Sequence, residues 1–432
     1  MVNFFKKNWF LILTFLFLVS IKFYFLYLTD KSNSYSKEVI YNNGDASHYY
    51  EIAENIFNFN VYSDNNSNIP TQSATWRPPF WPFILSLLFY VSTNPFTVII
   101  FKSILEISLI SFSLYFFKNK FKIKNYYFLP FLLLFIEPQY LKYSVTFLSE
   151  SLSAVLILLL SVLFVTGNSF KKYSVLIPIL AVIVILCHPV SVFYTLVLFG
   201  IYLLSFVQTN FKITIVHGLL FSVLLLAWPY RNLYTFQQGF YLTASQGATF
   251  SKGWNEKVVS QFTNVDGDLA DETINLKFLE NTAIKPNATF LENSNLYKKA
   301  TWKFIKTLSF SEKVQLAFIK VKSNFIPYPE KSKSVFIENV AIFFRILYLI
   351  VFLQMLYRIV KGKIRFQSEK DRVFMVVFSV FIGQIVMSIY IYTGLRFNSV
   401  FGLTMLFSFI YLNFNYILDS VLFRRLKKHL VK

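Results

Sequence analysis

Long apolar runs alternate with short basic connectors along most of the chain, and this pattern predicts a bundle of membrane-crossing helices. The first run, 10–28, follows Lys6 and Lys7 and is not trailed by a small-residue cleavage site. It reads as an uncleaved first helix with a cytoplasmic N-terminus, and Lys22 near its far end is expected to snorkel to the interface. The polar stretch 29–76 then lies outside. The apolar run 79–91 is too short for a span of roughly 20 residues and opens on Pro79 and Pro82, so it is assigned as an interfacial helix on the outer surface.

Further runs at 96–117, 126–143, 145–165, 173–187, 190–207, 213–230, 339–357, 373–392 and 400–423 bring the expected crossings to ten. With 79–91 kept out of the count, Lys118, Lys120, Lys122 and Lys124 fall in the cytoplasm. So do Lys171, Lys172, Lys212, the basic loop from Arg358 to Arg372, and the tail cluster Arg424, Arg425, Lys427, Lys428 and Lys432. Counting 79–91 as a span would place the four-lysine loop and the tail cluster outside, so charge decides the parity. The expected fold is an all-α polytopic membrane protein. A transmembrane module occupies 1–230 with a first outer loop at 29–94. A mostly helical extracytoplasmic segment follows at 231–337, and C-terminal transmembrane helices at 338–432.

Composition agrees with this class. Among 432 residues, 55% are apolar, 20% aromatic and only 15% charged, where a soluble domain carries roughly 25% charged residues. The 53 phenylalanines exceed what a soluble globule can hide. The net charge of +20 would suggest nucleic acid in a soluble protein; here it reads as lysine-rich loops at an anionic leaflet, with no nucleic-acid partner. The lone cysteine, Cys187, excludes an intramolecular disulfide framework and is expected to be a small core residue.

The unusual polar residues gather on the predicted outer side in four places. The loop segment NNGDASHYYEIAENIF places Tyr49, Ile52, Ala53 and Ile56 on one helical face behind Asp45. Asp45 can be an N-cap or a catalytic carboxylate, and the two roles are compatible. TWRPPFWPF sets Arg77 at the interface, either as part of an anchor with Trp76 and Trp81 or as a ligand for a membrane-embedded phosphate. Glu150 opens an otherwise apolar helix, where an ionisable group is functional by default and a dipole-favoured acid otherwise. Arg231 and Arg396 stand at two outer helix exits; each alone is an anchor, but three outer arginines beside two carboxylates resemble an anion site. Lys102 and Glu106, four apart, are expected to pair with each other. His188 and His217 are isolated, and packing or hydrogen bonding is expected of them rather than metal ligation.

In order along the chain, these residues resemble the GT-C superfamily of membrane glycosyltransferases, nearest its protein-O-mannosyltransferase and aminoarabinose-transferase branch. The matching features are Asp45 followed by Tyr49 and Ala53, then Arg77-Pro78-Pro79, Ser149-Glu150, Trp228-Pro229-Tyr230-Arg231-Asn232, and Arg396-Phe397. The chain departs from many relatives in having Asp45-Ala46 where they carry an acidic pair. It also lacks the soluble C-terminal domain of some relatives, while its central outer segment is unusually long.

The resemblance implies a sugar donor carried on a polyprenyl phosphate in a bacterial cytoplasmic membrane. The sugar would pass with inversion to a glycan, lipid or protein hydroxyl at the extracytoplasmic face. It implies Asp45 as general base with Glu150 as the second catalytic carboxylate, and Tyr49, Arg77, Arg231, Arg396 and His48 as substrate-binding residues. Asp45 and Glu150 are hard oxygen ligands that can hold a divalent metal between them. Two other functions fit the same topology. An O-antigen-type polymerase or ligase would use the long outer segment, and a lipid or solute transporter is disfavoured by the few mid-helix charges and the absence of an inverted repeat.

Overall fold

The computed structural model describes residues 2–41, 44–123, 125–166, 174–207, 210–261, 264–265, 268–271, 289–324, 335–362 and 368–413. The described chain starts with α1 (Val2–Lys31), followed by α2 (Lys37–Tyr41) and α3 (Gly44–Phe59). Next come α4 (Phe80–Phe89) and α5 (Pro95–Phe121). Asn94 starts α5 by accepting the Thr97 N–H at 3.1 Å, with Pro95 in the first turn, and Lys122 ends it in the left-handed region. The line continues through α6 (Pro138–Ser144), α7 (Glu150–Thr166), α8 (Leu176–Cys187), α9 (Val192–Val207) and α10 (Phe211–Phe236). The segment 231–337 supplies α11 (Gln246–Gly253), α12 (Glu256–Gln261), α13 (Phe290–Thr307) and α14 (Phe310–Ser323), of which α13 and α14 each open on a complete capping box. The chain then runs through α15 (Val335–Val360), α16 (Glu369–Tyr390) and α17 (Leu395–Leu412).

Among the described residues, five stretches are long and apolar enough to cross a membrane: Ile12–Lys31, Pro95–Phe121, Phe211–Phe236, Ile342–Val360 and Glu369–Tyr390. Their outer faces carry bare hydrophobic residues, as Val216, Leu219, Val223 and Leu226 do on α10, and such a surface needs lipid against it. The other expected crossings are shorter helices. The run 126–143 is a 3-10 segment, Asn125–Ile136, and then α6, because Pro138 stops the first piece and the Glu137 carboxylate caps the second at Tyr140 N, 2.6 Å away. The run 145–165 becomes helical only at Glu150. Lys124, Lys171, Lys172, Lys363, Arg365, the end of the last expected span and the basic tail lie outside the described residues.

Helix α7 is the hub. Every residue of it is buried, and α5, α6, α8, α16 and α17 pack around it. Two lysines are drawn into this interior, one of them, Lys22, against expectation. Lys22 does not snorkel: it is 1% exposed, and its ammonium donates to Glu106 Oε2 at 2.8 Å and Tyr140 Oη at 2.7 Å. An ammonium facing lipid would go unpaired, so pairing at depth wins. Lys102 stands 3.7 Å from Glu106, yet its hydrogen bonds go to the carbonyls of Tyr143, Thr146 and Leu148. Glu106 in turn accepts the Ser151 hydroxyl at 2.6 Å. Together these two residues pin the turn that delivers Glu150.

The segment 231–337 is clamped onto the bundle through its described residues. A small antiparallel sheet joins β1 (Asn264–Val265), β2 (Asp268–Leu269) and β3 (Thr393–Gly394), with Asp268 opposite Gly394 and Leu269 opposite Thr393. The Trp254 indole donates to Ile389 O at 2.8 Å, and the Lys320 ammonium to Ile391 O at 2.6 Å. Gly253 lies so close that a Cβ on it would be 2.0 Å from Ile391 O. A core of Phe250, Trp254, Val258, Leu269, Phe304 and Leu316 holds the segment together. All of this bears on the few residues before Arg396.

Candidate functional site

Asp45 sits in the first turn of α3, whose buried face of Tyr49, Ile52 and Ala53 packs toward α4. Its carboxylate is taken up by two guanidinium groups: Arg77 Nη2 donates to Oδ1, and Arg396 Nη2 pairs with Oδ2. Arg396 also reaches Glu150, donating from Nε to Oε1. The three clusters led by Asp45, Arg77 and Glu150 therefore meet, and Arg396 closes them into one chain of alternating charge. Glu150 is fully buried, with His188 Nε2 3.6 Å from Oε1. Its Oε2 has no hydrogen-bond partner among the described residues.

Burial works to raise the Asp45 carboxyl, but the charges and hydrogen bonds of Arg77 and Arg396 outweigh it and hold the group well below the usual carboxylate range. Arg77 is itself held from behind. Its Nε donates to His48 Nδ1 at 3.2 Å, and His48 Nε2 lies 3.0 Å from Asp64 Oδ2. Burial would lift Asp64 as well, yet hydrogen bonds from His48, Ser73 and Thr71 bring it down to about 2. Tyr49 lies under the Arg77 guanidinium, 5.0 Å from centroid to Cζ, and its hydroxyl is 3.0 Å from Ser149 Oγ. Burial pushes that hydroxyl up to about 12, so it stays neutral.

A cavity of about 370 Å³ opens beside this cluster. Its lining combines Asp45, Arg77, Arg396, His188 and Lys252 with the apolar side chains of Val192, Phe193, Met387 and Ile391. The combination suits a ligand that carries both an anionic group and hydrocarbon.

Six of the seven sequence candidates converge here: Asp45, Glu150, Tyr49, Arg77, Arg396 and His48. Arg231 does not. Its guanidinium lies over the rings of Trp228, Phe236 and Tyr62 at 5.1, 5.4 and 5.7 Å, and it donates to Asn232 Oδ1 at 3.1 Å. It is linked to the site through Tyr62, whose hydroxyl donates to Arg77 O at 2.9 Å. Trp81, expected at the interface, is fully buried and donates to Phe147 O at 2.6 Å. His188, expected to pack or hydrogen-bond, is buried and accepts the Val190 N–H on Nδ1 at 3.2 Å, and it also lines the cavity. Its place in the polar His188-Pro189 break between two apolar runs on the outer side was the available signal. His217 bonds Tyr202 Oη at 2.8 Å, and Cys187 is a buried free thiol, both as expected.

The position between the two carboxylates is held by the Arg396 guanidinium, so a divalent ion there would have to displace it. No group of three His, Cys, Asp or Glu side chains converges among the described residues. Comparison with known protein families, curated proteins and solved structures gives no match.

Proposed function

We propose that the chain is a membrane glycosyltransferase of the GT-C type. It moves a sugar from a polyprenyl phosphate to an acceptor hydroxyl at the extracytoplasmic face of a bacterial cytoplasmic membrane. The observation that carries this reading is the Arg77–Asp45–Arg396 bridge in a cavity that is also lined by Val192, Phe193, Met387 and Ile391. A lipid phosphate needs both features, a pair of guanidinium donors for its oxygens and a dry wall for its first isoprene units. The lysine pattern of the loops supports the outer placement.

The acceptor oxygen attacks the anomeric carbon as the bond from that carbon to the phosphate oxygen breaks. The bonding pair leaves on the phosphate, and attack from the far side inverts the centre. The hydroxyl proton passes to Asp45. With two counter-charges Asp45 is a weak base, but a phosphate entering the cavity competes for the same N–H groups. As Arg77 and Arg396 turn toward it, the carboxylate loses its neutralising partners and becomes more basic. The guanidinium groups then face the charge that develops on the leaving group. Glu150, buried and bound to Arg396 Nε, positions that arginine. No step requires a metal.

Reconstitution in proteoliposomes with a panel of polyprenyl-phosphate monosaccharides, read by mass spectrometry, tests the reading. Transfer from at least one monophosphate donor is expected. Turnover only with a diphosphate-linked oligosaccharide would replace the proposal with a polymerase, and carrier movement without transfer would replace it with a transporter.

A further inference from the structure

A second cavity of about 260 Å³ lies between α11 and α13 and shares Trp76 and Lys252 with the first. Its α13 wall is built from Phe290, Asn293, Ser294 and Tyr297, which at spacings of three, four and seven lie along one helical face. The α11 wall brings Ser251 and Lys252. The two helices approach to backbone contact at Gly247: its N–H donates to Ser294 Oγ at 2.9 Å, and a Cβ there would sit 1.6 Å from Ser294 O. The start of α13 is tied to the loop that carries Trp76, because Leu291 N–H donates to Gln72 Oε1 at 2.9 Å and Thr289 and Gln72 share Gln238 Oε1. The cavity is therefore framed by fixed elements, and Trp76, which packs edge-on to Phe290 at 4.9 Å, stands between it and the arginine site.

The chemistry of the lining is specific. Three aromatic rings face a space without a carboxylate. The same lining carries the polar residues Asn293 and Ser294 and the Lys252 side chain. Rings take the C–H face of a pyranose, and amide, hydroxyl and ammonium groups bond its hydroxyls. A cationic or purely aliphatic ligand would leave one of these features unused.

We infer that the second cavity is a saccharide site that holds the acceptor as a glycan and presents one of its hydroxyls past Trp76 to Asp45. This rests on the transfer reading of the first cavity.

Saturation-transfer NMR on the full-length protein in nanodiscs tests the inference. The probes are mannotriose, maltotriose, chitotriose and a Ser/Thr-rich heptapeptide, with undecaprenyl phosphate binding measured in parallel by native mass spectrometry. At least one trisaccharide is expected to bind. Tyr297→Ala, which removes a ring, and Ala248→Trp, which fills the space, should each weaken it by about tenfold or more and leave the lipid phosphate unaffected. No trisaccharide binding beside normal lipid binding would overturn the inference and leave the transfer reading intact. So would trisaccharide binding unchanged in both variants, or binding of the peptide alone. Tyr297-dependent trisaccharide binding without lipid phosphate binding would overturn the acceptor assignment together with the transfer reading.

Discussion

Arg77 Nε donates to His48 Nδ1 at 3.2 Å, which fixes the tautomer of that ring. A guanidinium has no acceptor to offer, so Nδ1 must be bare and the proton must sit on Nε2, where it faces Asp64 at 3.0 Å. The line Asp64–His48–Arg77 thus aims one of the two guanidinium groups proposed to bind the donor phosphate. His48→Ala is expected to raise the donor KM by about tenfold with a smaller loss in kcat, since the side chain orients a binding group and touches no reacting atom. Steady-state kinetics over a donor titration checks this.

Asp64 also makes a pH signature. Its folded pKa is about 2, depressed from the ordinary carboxylate value, so its stabilising effect is complete above about pH 4 and vanishes as pH falls toward 2. The side chain is 12% exposed, and the shift corresponds to about 2 kcal/mol. Wild type should exceed Asp64→Asn by about that amount at neutral pH, and the gap should close below about pH 4, as read by denaturant unfolding in detergent.

The arginines should separate cleanly. Arg396 bridges Asp45 and Glu150 through two different nitrogens, a geometry that a lysine ammonium cannot copy. Arg396→Lys is expected to lose about 100-fold or more in kcat/KM. Arg231 lies in its aromatic cage away from the cavity, and Arg231→Lys should change kcat/KM less than about threefold. Equal losses in both would mean that Arg231 reaches the donor after all.

The interior pair makes a stability prediction. Lys22→Met leaves Glu106 buried with only the more distant Lys102 beside it, at a cost of about 3–5 kcal/mol. Adding Glu106→Gln should recover part of the loss, a coupling that thermal unfolding of the single and double variants in detergent would show.

Much of the site could be read from the sequence because its parts are local. The buried face of α3 follows from Tyr49, Ile52 and Ala53 at helical spacing, and Asp45, Arg77, Glu150 and Arg396 fall on one side once the lysine loops fix the parity. What escaped depends on partners far away in the chain. Lys22 finds Glu106 across 84 positions, and a hydropathy window cannot see a counter-charge at that distance. Arg231 looks like its fellow arginines until the rings of Tyr62, Trp228 and Phe236 close around it. The role of the outer segment was hidden for the same reason: Trp254 and Lys320 act on the carbonyls of Ile389 and Ile391, and backbone acceptors leave no mark in a sequence. Among the described residues the ten expected crossings become five long helices and several shorter ones because prolines and the buried cap at Glu137 decide where helices begin.

The most direct measurement is single-turnover release of polyprenyl phosphate by wild type and Asp45→Asn, matched for expression and thermal stability. Wild type should release the carrier in step with glycosylated acceptor. Asp45→Asn should still bind the donor yet release about 1000-fold less or none, because the amide keeps the shape and lacks the base. Undiminished release and transfer by Asp45→Asn would contradict the catalytic assignment.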